Sequence, residues 1–329
     1  MLQRFRTFHT AARLSQKSCG HSHSHSSEPT EQSTPIKCTS KFPPNKPSSR
    51  TLRHLHFTVP LPYSKGQLIQ NSFSGAMLQF KKMTSTIQKK LKVLESSNQT
   101  MNEYEAQLLS SIIQMKPSPT VLTFQFQPII TAGKREKYRL TEDDIIKIKS
   151  VDQLDTKYDF VQTNRGGELS FHNPGQLVVY PIFDLKDFSN LTVKCFVSQL
   201  ESAIISTLAK FDVKGIKTSN TGVWITEDVK ISSLGLHVSR GVTSHGVSIN
   251  VNNSIPELEK QTGFALCGLP GKTQTTISEI KGNGEVVKVD EVAAVFVREL
   301  AKSMGIERVE SVDLEDLEIE VEEESSGCN

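Results

Sequence analysis

The sequence predicts a fold of the α/β class, in which helices and strands share one folded domain. Short β-branched and aromatic runs in the middle of the chain, at residues 177–183 and 247–251, are typical of buried strands. Residues 190–210 and 290–304 repeat apolar side chains at three- and four-residue steps, as helices packed on one face do. Both patterns occur within one stretch of chain, which favours a mixed architecture over an all-helical or all-strand one.

Length and charge limit the classes of protein to which the chain can belong. It has 329 residues, with 38 Lys and Arg against 36 Asp and Glu and a formal net charge of +2. This near balance argues against a nucleic-acid-binding protein whose whole surface is basic. No apolar run approaches the roughly 18 residues that a membrane-spanning helix needs. We therefore expect no nucleic-acid partner and no membrane span.

The first twenty residues differ in composition from the rest of the chain. They contain four bases and no acid, and apolar Leu2, Phe5 and Phe8 interleave with the bases. An arginine-rich, acid-poor amphipathic segment is typical of a mitochondrial transit peptide, although a disordered basic tail has the same composition. Residues 1–20 are accordingly predicted to be a transit peptide.

Residues 21–50 are predicted to be a disordered Ser/Pro-rich linker. They hold five prolines and many Ser and Thr residues, a composition that cannot build a core. Three histidines lie between His21 and His25, but a flexible segment lacks the fixed hydrogen bonds that orient metal ligands. No metal site is predicted there.

Residues 51–309 are predicted to form the folded domain. Residues 66–115 have mainly helical periodicity, with the charged stretch 81–107 as a helical insertion, and residues 134–157 are predicted to be an exposed connection. Residues 310–329 carry nine carboxylates and no base, which favours an acidic tail. Further strands are predicted at residues 121–126, 129–132, 222–226, 234–238 and 247–251, the last two as a pair.

The cysteines indicate reduced thiols. The chain has five, Cys19, Cys38, Cys195, Cys267 and Cys328, and no two lie within a few residues of each other. An odd number without a C-x-x-C spacing suggests neither a disulfide scaffold nor a zinc knuckle. A lone cysteine in an apolar setting is most often an inert core residue, so this pattern alone assigns no role.

Four clusters carry residue types that can do chemistry. The first, RGGELSFHNPGQ at 165–176, has adjacent glycines that let a ligand approach the backbone, and a following strand that points Phe171 and His172 to opposite faces. The second comprises residues 221–226 and 230–240, the third is residues 241–253 around His245, and the fourth is residues 264–268, which include Cys267. Taken singly, each also fits a plain alternative: a surface hairpin, a solvated turn lysine, an ordinary strand or a core thiol.

The order and spacing of these clusters resemble the lipoyl(octanoyl) transferase family, the octanoyl-carrier-protein:protein octanoyltransferases. The matching segments are RGGELSFHNPGQLVVYPIFDL, TGVWI, KISSLGLHVSRGVTSHGVSINVNN and CGL, which together span residues 165–269. The chain departs from the family at Asn173, where the family usually has Gly, and at Ala265-Leu266, where it usually has Asn-Pro. Asn tolerates a positive φ, so the turn at Asn173 is expected to be retained.

The resemblance implies an α/β (α+β) domain with a mixed sheet flanked by helices, like the catalytic domains of biotin and lipoate protein ligases. It implies that Cys267 is the nucleophile, forming an acyl thioester, and that Lys230 lowers the pKa of the cysteine and acts as general acid and base. It implies no cofactor and no metal, and a supporting role for His245. The substrate-binding residues that it implies are Arg165, Gly166, Gly167, Glu168, Leu169, Ser170, Phe171, His172, Ser233, Leu234, Gly235, Gly246, Val247 and Ser248.

The implied reaction moves an octanoyl group from octanoyl-acyl carrier protein to a lysine of a lipoyl domain, in lipoate biosynthesis. The acceptors would be 2-oxoacid dehydrogenases and the glycine cleavage H protein, in the mitochondrial matrix. Backbone amides at Gly166, Gly167 or Gly246 would stabilise the oxyanion. Basic partner surfaces are expected around Arg165, Lys214, Lys217 and Arg240. Two alternatives stay open: an ATP-dependent lipoate or biotin protein ligase, and a catalytically silent module that binds lipoyl domains.

Overall fold

The structure is a computed structural model that describes residues 38, 41–97, 100–153, 156–282, 284 and 286–313. The predicted transit peptide, the His21–His25 tract, Cys19 and Cys328 lie outside the described residues, as does the tail after residue 313. Within the described part of the chain, no helix is both long and apolar enough to cross a membrane.

Seven α-helices and thirteen strands are assigned in the described residues. The helices are α1 (Tyr63–Ser96), α2 (Glu103–Gln114), α3 (Glu142–Lys149), α4 (Val193–Ala209), α5 (Leu258–Thr262), α6 (Ile277–Lys281) and α7 (Val289–Ser303). The strands are β1 (Thr51–His56), β2 (Thr120–Phe124), β3 (Ile129–Ala132), β4 (Asp152–Gln153), β5 (Thr156–Lys157), β6 (Asp159–Gln162), β7 (Leu169–His172), β8 (Gln176–Ile182), β9 (Val223–Trp224), β10 (Val229–Ser239), β11 (Val242–Asn250), β12 (Thr273–Gln274) and β13 (Arg308–Ser311). Short 3-10 turns occur at Pro47–Arg50, Leu185–Asp187 and Leu266–Gly268.

The main sheet is mixed, as expected. Its strand order is β12-β10-β11-β8-β2-β1-β13, with β9 paired to β10 outside this path. Strand β10 pairs antiparallel with β11, β11 with β8, and β8 with β2, whereas β1 runs parallel to both β2 and β13. The predicted pair at 234–238 and 247–251 is the long hairpin formed by β10 and β11.

Helices cover both faces of this sheet because its central strands are apolar on both sides. Val121 and Val179 pack on one face with residues of α4 and α7. Leu122 and Val178 point to the other face, where Ile69 of α1 packs against them. The result is a mixed sheet flanked by helices, which is the predicted architecture.

A smaller sheet, with strand order β6-β3-β7, carries the diglycine cluster. Strand β7 pairs antiparallel with β3, so Phe171 lies opposite Ile130. Phe171 and Ile130 pack in a third apolar cluster together with Ile148 of α3. The segment 134–157, predicted to be an exposed connection, therefore contains a helix, whose first turn is capped by Thr141 and Asp144.

Helix α1 extends through most of the predicted insertion. It is 34 residues long, and its buried residues, including Gly66 and Met77, all lie in its first half. Helix α2 begins with a capping box formed by Asn102 and Glu105 and has no buried residue. The helical character predicted for 81–107 is thus present, but its first part continues α1 directly.

Two boundaries differ from the prediction. Residues 41–50 belong to the folded domain and not to a disordered linker, since Phe42 is buried in the main core and Ser49 hydrogen-bonds to Asp187 at 3.2 Å. Strand β13 crosses the predicted start of the acidic tail, because its register aligns Glu310 and Ser311 with β1. Packing partners distant in sequence decide both boundaries.

The prediction of reduced thiols is wrong for one pair. Cys38 and Cys195 form a disulfide with their Cα atoms 5.4 Å apart, across a sequence separation of 157 residues. Cys195 lies in the first turn of α4, and the fold brings Cys38 beside it. Among the described cysteines, Cys267 is the free one.

Candidate active site

A cavity of about 460 Å³ lies where β7, the β10–β11 hairpin and the turn containing Cys267 meet. Side chains and backbone from all four sequence clusters line this cavity. The predicted residues on its wall are Arg165, Gly166, Gly167, Glu168, Leu169, Ser170, His172, Lys230, Ser233, Leu234, Gly235, His245, Gly246, Val247, Ser248 and Cys267.

Cys267 sits at the centre of a 3-10 turn in an unusual backbone conformation. Its φ of 57° and ψ of 17° place it in the left-handed region, which costs a non-glycine residue roughly 1–2 kcal/mol. Its Sγ is 3.3 Å from the Oγ of Ser233, with either atom as the possible donor. The turn therefore presents a half-buried thiol to the cavity next to a hydroxyl of β10.

Lys230 supplies a buried cation to the same cavity. The side chain is only 4% exposed, and its Nζ lies 5.0 Å from the centre of the Trp224 ring. Within the described residues, the ammonium has neither a carboxylate partner nor a hydrogen-bond acceptor. A buried cation compensated only by an aromatic face interacts strongly with an anion that forms nearby.

Lys230 and Ser233 of β10 both line the cavity, and an irregularity of the strand lies between them. The two residues are three positions apart, so strict alternation would point them to opposite faces of the strand. The pairing of β10 with β9 shifts register between Lys230 and Ser232, which breaks the alternation locally. No pattern in the sequence indicates this shift.

Arg165 is buried at the cavity wall instead of lying on a partner surface. Its guanidinium donates hydrogen bonds to Thr131, at 2.7 Å to both the carbonyl oxygen and Oγ1, and to the carbonyl of Gly166 at 3.1 Å. Burial lowers the pKa of Arg165, whereas negative charge on Tyr63 or Cys267 raises it. The prediction of Arg165 as a surface contact is wrong, because Thr131 of β3 accepts hydrogen bonds from its buried side chain.

One side of the cavity is polar and uncharged. The His172 Nδ1 is 2.8 Å from the Oε1 of Gln176, whose amide donates to Asn250 at 2.9 Å. Burial lowers the pKa of His172 to about 4, and burial reinforced by the charge of Arg165 lowers that of His245 to about 3. Both imidazoles are therefore neutral at physiological pH.

The buried histidines predict acid-sensitive stability. Burial also lowers the pKa of His54 to about 4, so the unfolded chain binds more protons than the folded domain below about pH 6.5. The contribution of these histidines to the free energy of unfolding is therefore fully present above about pH 6.5. It is lost as the pH falls toward 4, by about 2 kcal/mol per histidine at pH 5. The urea midpoint is expected to be clearly lower at pH 5 than at pH 7.5. Equal midpoints at the two pH values would contradict the buried neutral imidazoles.

The opposite side of the cavity is apolar, with one difference from the prediction. Phe171 is not on the cavity wall; it is 1% exposed and packs with Ile130 under the smaller sheet. Strand alternation explains the difference, since His172 faces the cavity and Phe171 must face away. The first turns of α4 contribute two wall residues that sequence reasoning missed. The apolar wall comprises Val178, Val193, Val197, Leu234 and Val247.

Two glycines at the cavity are required by close contacts. A Cβ added to Gly246 would lie 2.0 Å from the carbonyl oxygen of Val179 on β8. Gly268 has a φ of 60°, and a Cβ there would overlap the carboxylate of Glu168. The first glycine permits the close approach of β8 and β11, and the second permits the turn that holds Cys267.

The two departures from the family pattern have local compensations. Asn173 has no positive φ; the left-handed residue of this turn is Gly175, at 87°. The Asn173 amide instead donates to the hydroxyl of Tyr158 and the carbonyl of Ser254, both at 2.9 Å. With Ala265 before it, the turn around Cys267 still closes through a Gly268 N–H bond to the Ala265 carbonyl at 3.2 Å.

Comparison with known proteins gives the same family as the motifs. The model of the lipoyl protein ligase A/B catalytic domain matches residues 99–301. The mitochondrial octanoyltransferase of Kluyveromyces lactis is 41% identical over 88% of this chain and 91% of its own length. That of Saccharomyces cerevisiae is 39% identical over 84% and 88%. A zebrafish mitochondrial octanoyl-[acyl-carrier-protein]:protein N-octanoyltransferase is 35% identical over 49% and 66%.

The chain also resembles solved structures of lipoate protein ligases at low identity. The bipartite lipoate protein ligase of Thermoplasma acidophilum covers 80% of this chain and 87% of its own, at 12% identity and a TM-score of 0.48. Plasmodium falciparum LipL1 in complex with lipoate covers 80% and 66%, at 15% identity and a TM-score of 0.47. On the family match and the two yeast relatives, the chain belongs to the octanoyltransferase family with a lipoyl protein ligase A/B catalytic domain, and it is an acyltransferase.

Proposed function

We propose that the chain transfers an octanoyl group from octanoyl-acyl carrier protein to the ε-amine of a lysine on a lipoyl domain, through a thioester on Cys267. The observation that carries the proposal is the meeting of the free thiol of Cys267 and the unpaired, buried ammonium of Lys230 on one cavity. A thiol and a neighbouring cation are what nucleophilic acyl transfer requires.

In the first half-reaction, the Cys267 thiolate attacks the carbonyl carbon of the donor thioester. The new C–S bond forms, the bond to the carrier's sulfur breaks, and the carrier thiolate leaves with a proton. One thioester replaces another, so this exchange needs no ATP. The Lys230 cation stabilises the attacking thiolate and can supply the proton to the leaving sulfur.

In the second half-reaction, the lysine amine of the acceptor attacks the thioester carbon. A C–N bond forms and the C–S bond to Cys267 breaks, while the attacking nitrogen loses a proton. Lys230, neutral after giving up its proton in the first half, accepts that proton. The products are the octanoylated lysine and the regenerated cysteine, and all protons are accounted for.

The oxyanion of each tetrahedral intermediate requires N–H donors that are already in place. Gly166, one of the predicted donors, is engaged, since its N–H bonds to the carbonyl of Leu236 at 2.9 Å. Gly167 also lines the cavity, and its carbonyl is held by the Arg135 N–H at 3.3 Å. We therefore propose the N–H groups of Gly167 and Gly246, the other two predicted donors on the cavity wall, for this role.

The apolar wall suits the octanoyl chain. Val193 and Val197 from α4 face Leu234 and Val247 from the hairpin around the same cavity. Each buried methylene contributes about 0.8 kcal/mol, so the depth of this slot can select chain length within a modest range.

The proposed acceptors are the lipoyl domains of 2-oxoacid dehydrogenases and the glycine cleavage H protein, and the proposed location is the mitochondrial matrix. Two yeast relatives and the zebrafish relative are named as mitochondrial proteins. The arginine-rich, acid-free composition of residues 1–20 supports the same location.

Mass spectrometry of the acylated protein tests the proposal. Incubation with octanoyl-acyl carrier protein, without ATP or Mg²⁺, is expected to add one octanoyl group to the peptide that contains Cys267, and a lipoyl domain should then remove it. A label on another residue would contradict the mechanism. A strict requirement for ATP would favour the ligase alternative, and binding of lipoyl domains without any acyl-enzyme would favour the silent module.

A further inference from the structure

A cluster of exposed cations lies at the rim of the cavity. Residues 134–139, here called the basic turn, follow β3 and include four exposed basic side chains and one buried acid, Glu136. Tyr138 in this turn is 89% exposed, which is unusual for a tyrosine in a folded domain. The basic side chains of the turn are Lys134, Arg135, Lys137 and Arg139.

The basic turn is fixed to the cavity wall through its backbone. The N–H groups of Gly133, Lys134 and Arg135 donate to the carbonyls of Glu168, Arg165 and Gly167 at 3.1, 2.9 and 3.3 Å. These carbonyls belong to the diglycine cluster, and Arg135 itself lines the cavity. The cations therefore have a defined position beside the opening that leads to Cys267.

The charges of the basic turn remain available to a partner. The Lys134 Nζ is 3.2 Å from the Nδ1 of His237. Arg135 and Arg139 lie 3.7 and 3.8 Å from the carboxylate of Glu168, and Arg139 also lies 3.8 Å from that of Glu136; the two arginine side chains are 72% and 66% exposed. Ion pairs of this kind contribute little, because solvent screens them. Exposed arginine and tyrosine side chains together are the residue types that dominate protein–protein contacts.

We infer that the basic turn docks the acceptor protein, a folded domain with an acidic surface around its target lysine. The inference rests on the proposed function and deepens it. A lysine side chain is short, so its amine reaches the thioester on Cys267 only if the acceptor surface touches the rim of the cavity. The basic turn is held against the wall of that cavity, where such an acceptor surface must sit. We therefore assign the rim cations to the acceptor.

Separate measurement of the two half-reactions tests this inference. The double variant Lys137→Glu/Arg139→Glu changes side chains that do not line the cavity. At low salt, its second-order rate of octanoyl discharge to an apo lipoyl domain is expected to fall by about tenfold or more, while loading from octanoyl-acyl carrier protein changes by less than about twofold. The deficit in discharge should shrink as salt is added.

The matched control reverses the same number of charges far from the cavity. Lys89 and Lys90 are exposed on α1, about 39 Å along the helix axis from Tyr63 at the cavity, and Lys89→Glu/Lys90→Glu should leave both half-reactions unchanged. If the glutamate variant of the basic turn does not fold, Lys137→Gln/Arg139→Gln is expected to give a smaller loss in the same half-reaction.

Three outcomes would overturn the inference: discharge unaffected in the variant, loading slowed as much as discharge, or an equal effect in the control. They differ from failure of the proposed function. If the parent chain never forms an acyl-enzyme, the proposed function fails; if it forms one and discharges it regardless of the basic turn, only the docking inference fails.

Discussion

The Cys267→Ser variant is expected to lose octanoyl transfer by at least about 10⁴-fold, because a serine hydroxyl is a far weaker nucleophile than a thiolate at neutral pH. The substitution changes one atom and keeps an oxygen within reach of the Ser233 hydroxyl, which now contacts Sγ at 3.3 Å. The measurement is single-turnover transfer from octanoyl-acyl carrier protein to a lipoyl domain, together with mass spectrometry of the protein.

The control for this variant is its stability. Cys267 is half-buried and belongs to none of the apolar clusters, so the urea midpoint should match that of the parent chain. A folded Cys267→Ser protein that retains transfer within about tenfold of the parent would contradict an acyl-cysteine intermediate.

The Lys230→Met variant is expected to lower octanoyl transfer by about 10²–10⁴-fold, the range of general acid–base catalysis. Methionine keeps an unbranched apolar stem against Trp224 and removes the ammonium, which lies 5.0 Å from that ring. The rate of alkylation of Cys267 by iodoacetamide at pH 7 should fall as well, because the cation that favours the thiolate is gone.

Lys230→Arg separates the two roles of the lysine. Arginine keeps the cation, so alkylation of Cys267 should stay nearer the parent rate, but a guanidinium does not accept a proton at neutral pH. Discharge of the acyl-enzyme to the lipoyl domain should then be slowed more than loading. Unchanged alkylation in Lys230→Met would show that the lysine does not act on the thiol.

Much of the site could be predicted because its residues come in contiguous segments. Arg165–His172 leads into and includes β7 of the smaller sheet, whereas Ser233–Gly235 and Gly246–Ser248 lie on the paired strands β10 and β11 of the main sheet. All three segments line one cavity. Alternation along β7 also predicts correctly that Phe171 and His172 point to opposite faces, and only His172 reaches the cavity.

The remaining features depend on contacts between distant parts of the chain. The Cys38–Cys195 disulfide joins segments 157 residues apart, and no local spacing reveals it. Arg165 is buried because Thr131 of β3 accepts its hydrogen bonds. The wall contributed by Val193 and Val197 depends on how α4 sits against the sheet, which helical periodicity alone does not determine.

Because the backbone of Cys267 is left-handed, the position of its sulfur depends on the folded turn around it. With a φ of 57°, a cysteine is in a conformation that a free peptide rarely samples, and the surrounding contacts must hold it there. A partly unfolded chain therefore lacks the turn that presents the Cys267 thiol to the cavity. Under the proposed mechanism, acylation of Cys267 would therefore require the folded domain.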